Sequence, residues 1–164
     1  MLNSISTRAW YLAVVLACAG LLGFALYLQH RMFLDPCPLC IFQRLAFMWI
    51  GAWALLASLH NPAGAARKVY ATLVVLGAAV GAAVAGRHVW MQHLPPGEVP
   101  ECGPGLSYLL ETAPFLDVLK TVLLGDGNCA EVQWSFLGLS MPGWTLLWFL
   151  AVGAGTLYFT STRR

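Results

Sequence analysis

Cys37-Pro38-Leu39-Cys40 sets two thiols three positions apart, and Cys102 and Cys129 make a second, widely spaced pair further along the chain. Thiol–disulfide exchange is the chemistry open to such pairs: a thiolate attacks a disulfide sulfur and passes through a mixed disulfide. If both pairs share one side of a membrane, they form a route for electrons. One pair can meet a soluble protein, and the other can meet an oxidant dissolved in lipid.

The local sequence gives the two pairs different characters. Pro36 and Pro38 prevent an ordinary helix through Cys37, so a helix is expected to open near Leu39 or Cys40. Its N-terminus presents unbonded N–H groups and a partial positive charge. Arg44 lies four residues after Cys40, on the same face one turn deeper. Both features favour a thiolate on Cys40. The competing reading of Arg44 is a side chain that snorkels to head groups. Cys102 is surrounded by Pro100, Gly103, Pro104 and Gly105, which predicts an exposed turn open to an incoming thiolate. Taken alone, Cys102 and Cys129 read better as a structural staple, worth roughly 3–4 kcal/mol in the chain-entropy picture, than as a catalytic pair. His88 stands near the outer end of an apolar stretch, where it could donate a proton or hydrogen bond to a reduced acceptor or simply face head groups. Cys18, mid-way along the first apolar stretch, reads as a small buried hydrophobe. The spacing of 27 between Cys102 and Cys129 disfavours a four-cysteine zinc site, and no metal is expected. Ile41 replaces the histidine that haem attachment needs after the second cysteine.

The elements that must hold these residues are apolar. The chain has 164 residues, of which 59% are hydrophobic and 10% charged, against about 25% charged in average soluble domains. A chain of this size cannot hide so much apolar surface from water. The expected fold is therefore an all-α integral membrane protein, a four-transmembrane-helix bundle in one membrane domain covering residues 1–164. Spans are expected at about 9–28, 41–60, 69–87 and 142–161, each near the ~20 residues a crossing helix needs. Helices are required because lipid offers no partners to open backbone groups. The first apolar run exceeds a signal-peptide core of roughly 7–15 residues and reads as a span.

Charge orients the bundle. Arg8, Arg67, Lys68, Arg163 and Arg164 flank the spans in segments without carboxylates, and all seven acids fall in the other two loops. By the positive-inside rule both termini are cytoplasmic, and loops at about 29–40 and 91–141 face outward. Both cysteine pairs then face the periplasm of a bacterial inner membrane, where disulfides persist. The net charge of +2 gives no reason to expect nucleic acid. In the long second loop, apolar residues alternate with polar ones over Ser107–Leu124, which predicts two pieces parted by Pro114, the later one a short membrane-surface helix. Gly77 and Gly81 form a G-x-x-x-G suited to close helix approach. Ser140-Met141-Pro142 reads as a helix entry.

Over essentially its whole length the chain resembles the bacterial disulfide bond formation protein B family. The resemblance rests on C-P-L-C-I-F-Q-R at 37–44, R-H-V-W-M-Q at 87–92, Cys102 in the second loop, and G-N-C-A-E-V-Q-W-S-F-L-G-L-S-M-P at 127–142. It implies a thiol:quinone oxidoreductase that reoxidises a periplasmic thioredoxin-like dithiol oxidase of the DsbA type. Ubiquinone or menaquinone would be the cofactor, reached through the lipid bilayer. By that likeness the partner's thiolate attacks Cys102, the released Cys129 attacks Cys37, and Cys40 becomes the thiolate beside quinone. Arg44 would hold the quinone, with His88 nearby. Gln43 stands where some family members carry an acid, and no role is assigned to it. The residue types alone do not select quinone. Two other readings remain open: a vitamin-K-epoxide-reductase-like quinone reductase, in which the C-x-x-C usually lies late in the chain, and a non-enzymatic four-span protein with structural loop disulfides.

Overall fold

A computed structural model describes residues 6–34, 36–95, 111, 114, 116–117, 127–132 and 134–162. Cys102 lies outside the described residues, as does most of Ser107–Leu124, where the surface helix is expected. Four long helices carry the fold: α1 (Thr7–Arg31), α2 (Pro38–His60), α3 (Gly64–Met91) and α4 (Met141–Thr162). Among the described residues, a 3-10 turn, Gly127–Cys129, and a two-stranded hairpin, β1 (Ser135–Phe136) and β2 (Leu139–Ser140), lie between α3 and α4.

Each helix contains an 18-residue stretch of mean hydropathy 1.2 or more. Their lengths of 22 to 28 residues give about 33–42 Å at 1.5 Å per residue, enough to cross a hydrocarbon core of about 30 Å. Large apolar side chains such as Leu16, Leu59, Val80, Leu150 and Leu157 point out of the bundle. Lipid is the solvent for these side chains, and the chain is a multi-pass membrane protein.

The helix ends follow from local chemistry. Ser6 caps α1 by accepting a hydrogen bond from the Ala9 N–H at 3.1 Å. Asn61 ends α2 in a left-handed conformation, its N–H bonded to the Ala57 carbonyl. The start of α2 differs slightly from the sequence expectation: the helix opens at Pro38, with Cys37 as its extended cap. Proline is tolerated at a first helical position because the N–H it lacks would have no helical acceptor there. α4 begins at Met141 with Pro142 in its first turn, as the Ser140-Met141-Pro142 pattern predicts.

α2 packs between α1 and α3, while α4 closes the bundle chiefly against α3. Phe47 of α2 stacks on Phe149 of α4 with centroids 4.6 Å apart, and Ile50, Ala54, Val74 and Ala78 fill the space around them. Both glycines of the G-x-x-x-G motif are used within the chain. A side chain at Gly77 would strike Trp49 and Ile50, and one at Gly81 would strike the Phe149 ring. Gly155 likewise makes room for Trp10, whose indole N–H donates to the Thr156 hydroxyl at 3.2 Å and ties α1 to α4. Cys18 is buried, with Gly51 of α2 beside it.

Candidate functional site

The extended cap conformation of Cys37 and the helical start at Pro38 turn the first cysteine back over the mouth of α2. Its carbonyl accepts the Ile41 N–H at 3.2 Å. Cys40 sits in the first turn, and the two sulfurs lie 3.3 Å apart. Cys37 is buried and Cys40 half-buried, so the pair is reached along the side of the helix head.

α3 contributes His88, which is also buried. Its Nε2 lies 3.7 Å from Cys37 Sγ, and its Nδ1 lies 3.2 Å from Gln43 Nε2. An amide N–H can only donate, so Nδ1 accepts and the ring proton sits on Nε2, facing the sulfur. Gln43 Oε1 in turn lies 2.7 Å from the Thr145 hydroxyl of α4. That hydroxyl is also 3.0 Å from the Pro142 carbonyl, and its one proton serves one acceptor at a time. Thr145, Gln43, His88 and Cys37 thus form one hydrogen-bonded chain across three helices.

Arg44 does not reach out toward solvent. Its Nη1 donates to Gln29 Oε1 at 2.6 Å and its Nη2 to the Ala25 carbonyl at 3.3 Å, both on α1. The guanidinium is therefore fixed against α1 one turn below Cys40. A guanidinium carries five N–H donors in a planar fork, so two anchoring bonds leave donors to spare.

The 3-10 turn delivers the last sulfur. Cys129 is fully buried, and its Sγ, Cys37 Sγ and a His88 ring nitrogen all lie within 4.8 Å of one another. Of the residues singled out from sequence, five therefore converge: Cys37, Cys40, Cys129, Arg44 and His88. Cys102 lies outside the described residues.

Cys37, Cys40, Arg44 and His88 border a cleft of about 550 Å³, within the size range of small-molecule sites. Leu21, Phe24 and Leu28 of α1 form one wall, and Trp144 and Trp148 of α4 form another. The hairpin supplies an aromatic rim. Trp134 stacks near Phe136 (6.1 Å between centroids) and meets Phe24 edge-on at 5.9 Å. The two residues of its turn, Leu137 and Gly138, both have positive φ, as the tightest hairpins require. Trp144 fixes the rim to α4 by donating to the Phe136 carbonyl at 3.0 Å. The Gln92 side-chain oxygen, at the cleft, is buried and has no hydrogen-bond partner among the described residues.

Gln29, Gln43 and Thr145 were not assigned by sequence reasoning. Gln43 carried a usable signal: a polar side chain inside an apolar helix, three residues after Cys40, must find partners or stay costly to bury. Thr145 carried none, because its partner lies 102 residues away.

Known proteins of similar sequence point to one family. The family model described as disulfide bond formation protein DsbB matches residues 7–159. A disulfide bond formation protein B from Marinobacter nauticus is 52% identical over 144 residues, covering 87% of this chain and 86% of its own. Another, from Chromobacterium violaceum, is 47% identical over 161 residues, covering 98% and 97%. A third, from Hahella chejuensis, is 52% identical over 150 residues, covering 92% and 91%. A row of thiols at a membrane helix head, in a chain matched almost end to end, leaves one conclusion: it belongs to the DsbB family of disulfide bond formation proteins and is a membrane disulfide oxidoreductase.

Proposed function

We propose that the protein reoxidises a periplasmic dithiol oxidase of the DsbA type and passes the electrons to a membrane quinone, ubiquinone or menaquinone. The observation that carries this reading is the row of three sulfurs at the head of α2. Cys129 Sγ lies within 4.8 Å of Cys37 Sγ, which lies 3.3 Å from Cys40 Sγ. A buried Cys129 is poorly placed to meet a soluble protein, so the partner's thiolate attacks Cys102 of a Cys102–Cys129 disulfide. The Cys102–partner bond forms as the Cys102–Cys129 bond breaks, and Cys129 leaves as a thiolate. That thiolate attacks Cys37 of the Cys37–Cys40 disulfide, and the electron pair moves to Cys40. The partner's second thiol then attacks its own sulfur in the mixed disulfide, releasing the oxidised partner and Cys102. Attack by the Cys102 thiolate on the Cys129–Cys37 bond restores the loop disulfide and leaves Cys37 reduced.

The cleft fits a quinone. Its walls are apolar and aromatic, Arg44 would offer donors to a ring oxygen, and the Gln92 oxygen, without a partner among the described residues, would accept a hydroxyl proton. When bound there, a quinone supplies a two-electron, two-proton acceptor beside Cys40. Arg44 holds its position by bonds to α1 and stabilises negative charge on Cys40 or on a ring oxygen. His88 keeps its Nε2 proton directed at Cys37 Sγ and so stabilises a thiolate there. The hairpin aromatics limit water at the site. In this reading the thiols face the periplasm of a bacterial inner membrane and both termini are cytoplasmic.

The test is reconstitution in lipid with a reduced DsbA-type dithiol oxidase and a quinone, following quinone absorbance and partner thiols together. One quinone should be reduced per partner disulfide formed. Partner oxidation without quinone reduction, or neither, would refute the assignment.

A further inference from the structure

Three buried side chains from three elements meet at the mouth of the bundle: Cys37 before α2, His88 on α3 and Cys129 in the 3-10 turn. One donor atom from each lies within 4.8 Å of the other two. Cys40 adds a fourth sulfur 3.3 Å from that of Cys37. We propose that the protein, when Cys37 and Cys129 are both thiols, binds one thiophilic divalent cation, Zn²⁺, through Cys37 Sγ, Cys129 Sγ and His88 Nε2.

The donor set suits the ion. Zinc takes thiolate at about 2.3 Å and imidazole at about 2.0–2.1 Å in a tetrahedron, which sets neighbouring donors about 3.5–3.8 Å apart. Cys37 Sγ and His88 Nε2 are already at 3.7 Å. Two thiolates and a neutral imidazole cancel the charge of the cation, so a neutral complex forms at an apolar helix mouth where an unpaired ion would be costly. Water in the fourth position keeps the complex neutral. Two S–H bonds break, two Zn–S bonds form and two protons leave to water, with no change of oxidation state.

Gln43 supports this. For Nε2 to bind a cation, the ring proton moves to Nδ1 and needs an acceptor. Gln43 supplies one by turning its amide over, so that its oxygen meets Nδ1 and its NH₂ donates to the Thr145 hydroxyl. A hydrogen-bonded partner on the far ring nitrogen is the usual support of a metal-binding histidine. The spacing that disfavours a four-cysteine site does not bear on this one, because its histidine comes from another helix. Any disulfide using Cys37 or Cys129 removes a ligand, so the site exists only in the reduced chain. On the proposed function, the cation would also halt the relay, but binding itself does not depend on quinone or partner.

Titration of the full chain in lipid nanodiscs with Co²⁺, a spectroscopic stand-in for zinc, tests the site. Protein reduced by a non-thiol reductant should take up one Co²⁺ per chain, with thiolate charge-transfer and tetrahedral ligand-field absorption that Zn²⁺ bleaches. Disulfide-oxidised protein should take up none. Cys129→Ser and His88→Ala should each bind at least tenfold more weakly, while Cys18→Ala and Cys102→Ala should bind as the parent does. Zn²⁺ should slow alkylation of Cys37 and Cys129 at least tenfold. Absence of the tetrahedral signature in the reduced parent, equal uptake by the oxidised parent, unchanged affinity in Cys129→Ser, or loss of binding in Cys102→Ala would each overturn the proposal. Two of these outcomes need no variant.

Discussion

The mouth of the bundle and its interior are built on different terms. At the mouth, polar side chains from α1, α2, α3 and α4 bond to one another: Gln29 to Arg44, Gln43 to His88, Thr145 to Gln43. Deeper in the bundle, the contacts are glycine against aromatic ring, with Gly77 under Trp49 and Gly81 under Phe149. The interior sets how close the helices run. The mouth uses that spacing to place a few atoms, and a polar group buried there is costly unless it finds a partner. Substitutions should therefore divide cleanly, with mouth variants losing chemistry and interior variants losing stability.

The largest effect expected is at Cys129. Cys129→Ser should lower turnover with the reduced dithiol partner by about a thousandfold or more, the scale of losing an essential catalytic group. Reaction of the Cys37–Cys40 pair with quinone should survive in a single-turnover measurement. If both steps fail together, Cys129 holds the mouth in shape and does not act as a relay thiol.

Arg44→Met comes next. The loss of a charged hydrogen-bond donor costs about 1.5–3 kcal/mol, so the apparent quinone KM should rise about 10- to 150-fold. Arg44→Lys should recover only part of this, because one ammonium cannot reproduce the planar fork spanning Gln29 and Ala25. An unchanged quinone KM in Arg44→Met would remove the guanidinium from the acceptor site.

An interior change of similar size in free energy should behave differently. Gly81→Leu forces a side chain into the Phe149 ring, and overpacking of this kind costs about 1–3 kcal/mol. Unfolding in lipid should register that loss, while turnover per folded molecule stays within about twofold of the parent. A larger drop in turnover would mean that helix spacing and site geometry cannot be separated.

What the sequence made legible follows the range of the interactions. The four helices follow from apolar length alone. Cys40 and Arg44 share a helix face because they are four residues apart, and α4 begins where Ser140-Met141-Pro142 points. The convergence of Cys129 on Cys37 is a long-range closure that no local pattern encodes. Although the anchor of Arg44 on Gln29 spans only 15 residues, it joins two helices across a turn, and sequence left its direction open. The hairpin was missed because Leu137 stands at positive φ, where glycine or asparagine is the usual signal.

The smallest effects concern the chain that orients His88, and they sharpen the comparison most. Gln43→Leu leaves Nδ1 without its donor, a loss of about 1 kcal/mol or more for a buried group, and should slow exchange at Cys37 about tenfold. Thr145→Val removes only the outer link, and interhelical hydrogen bonds in membranes average about 0.6 kcal/mol, so a two- to threefold loss is expected. The double variant should be no slower than Gln43→Leu, because Thr145 acts through Gln43. Nitrogen-15 shifts of His88 give a readout that simple packing damage would not move: the parent ring should be protonated at Nε2, and Gln43→Leu should mix the two tautomers. If the two substitutions add fully in rate and the ring stays purely Nε2-protonated in both, then Gln43 and Thr145 merely fill space, and the mouth is held by packing as the interior is.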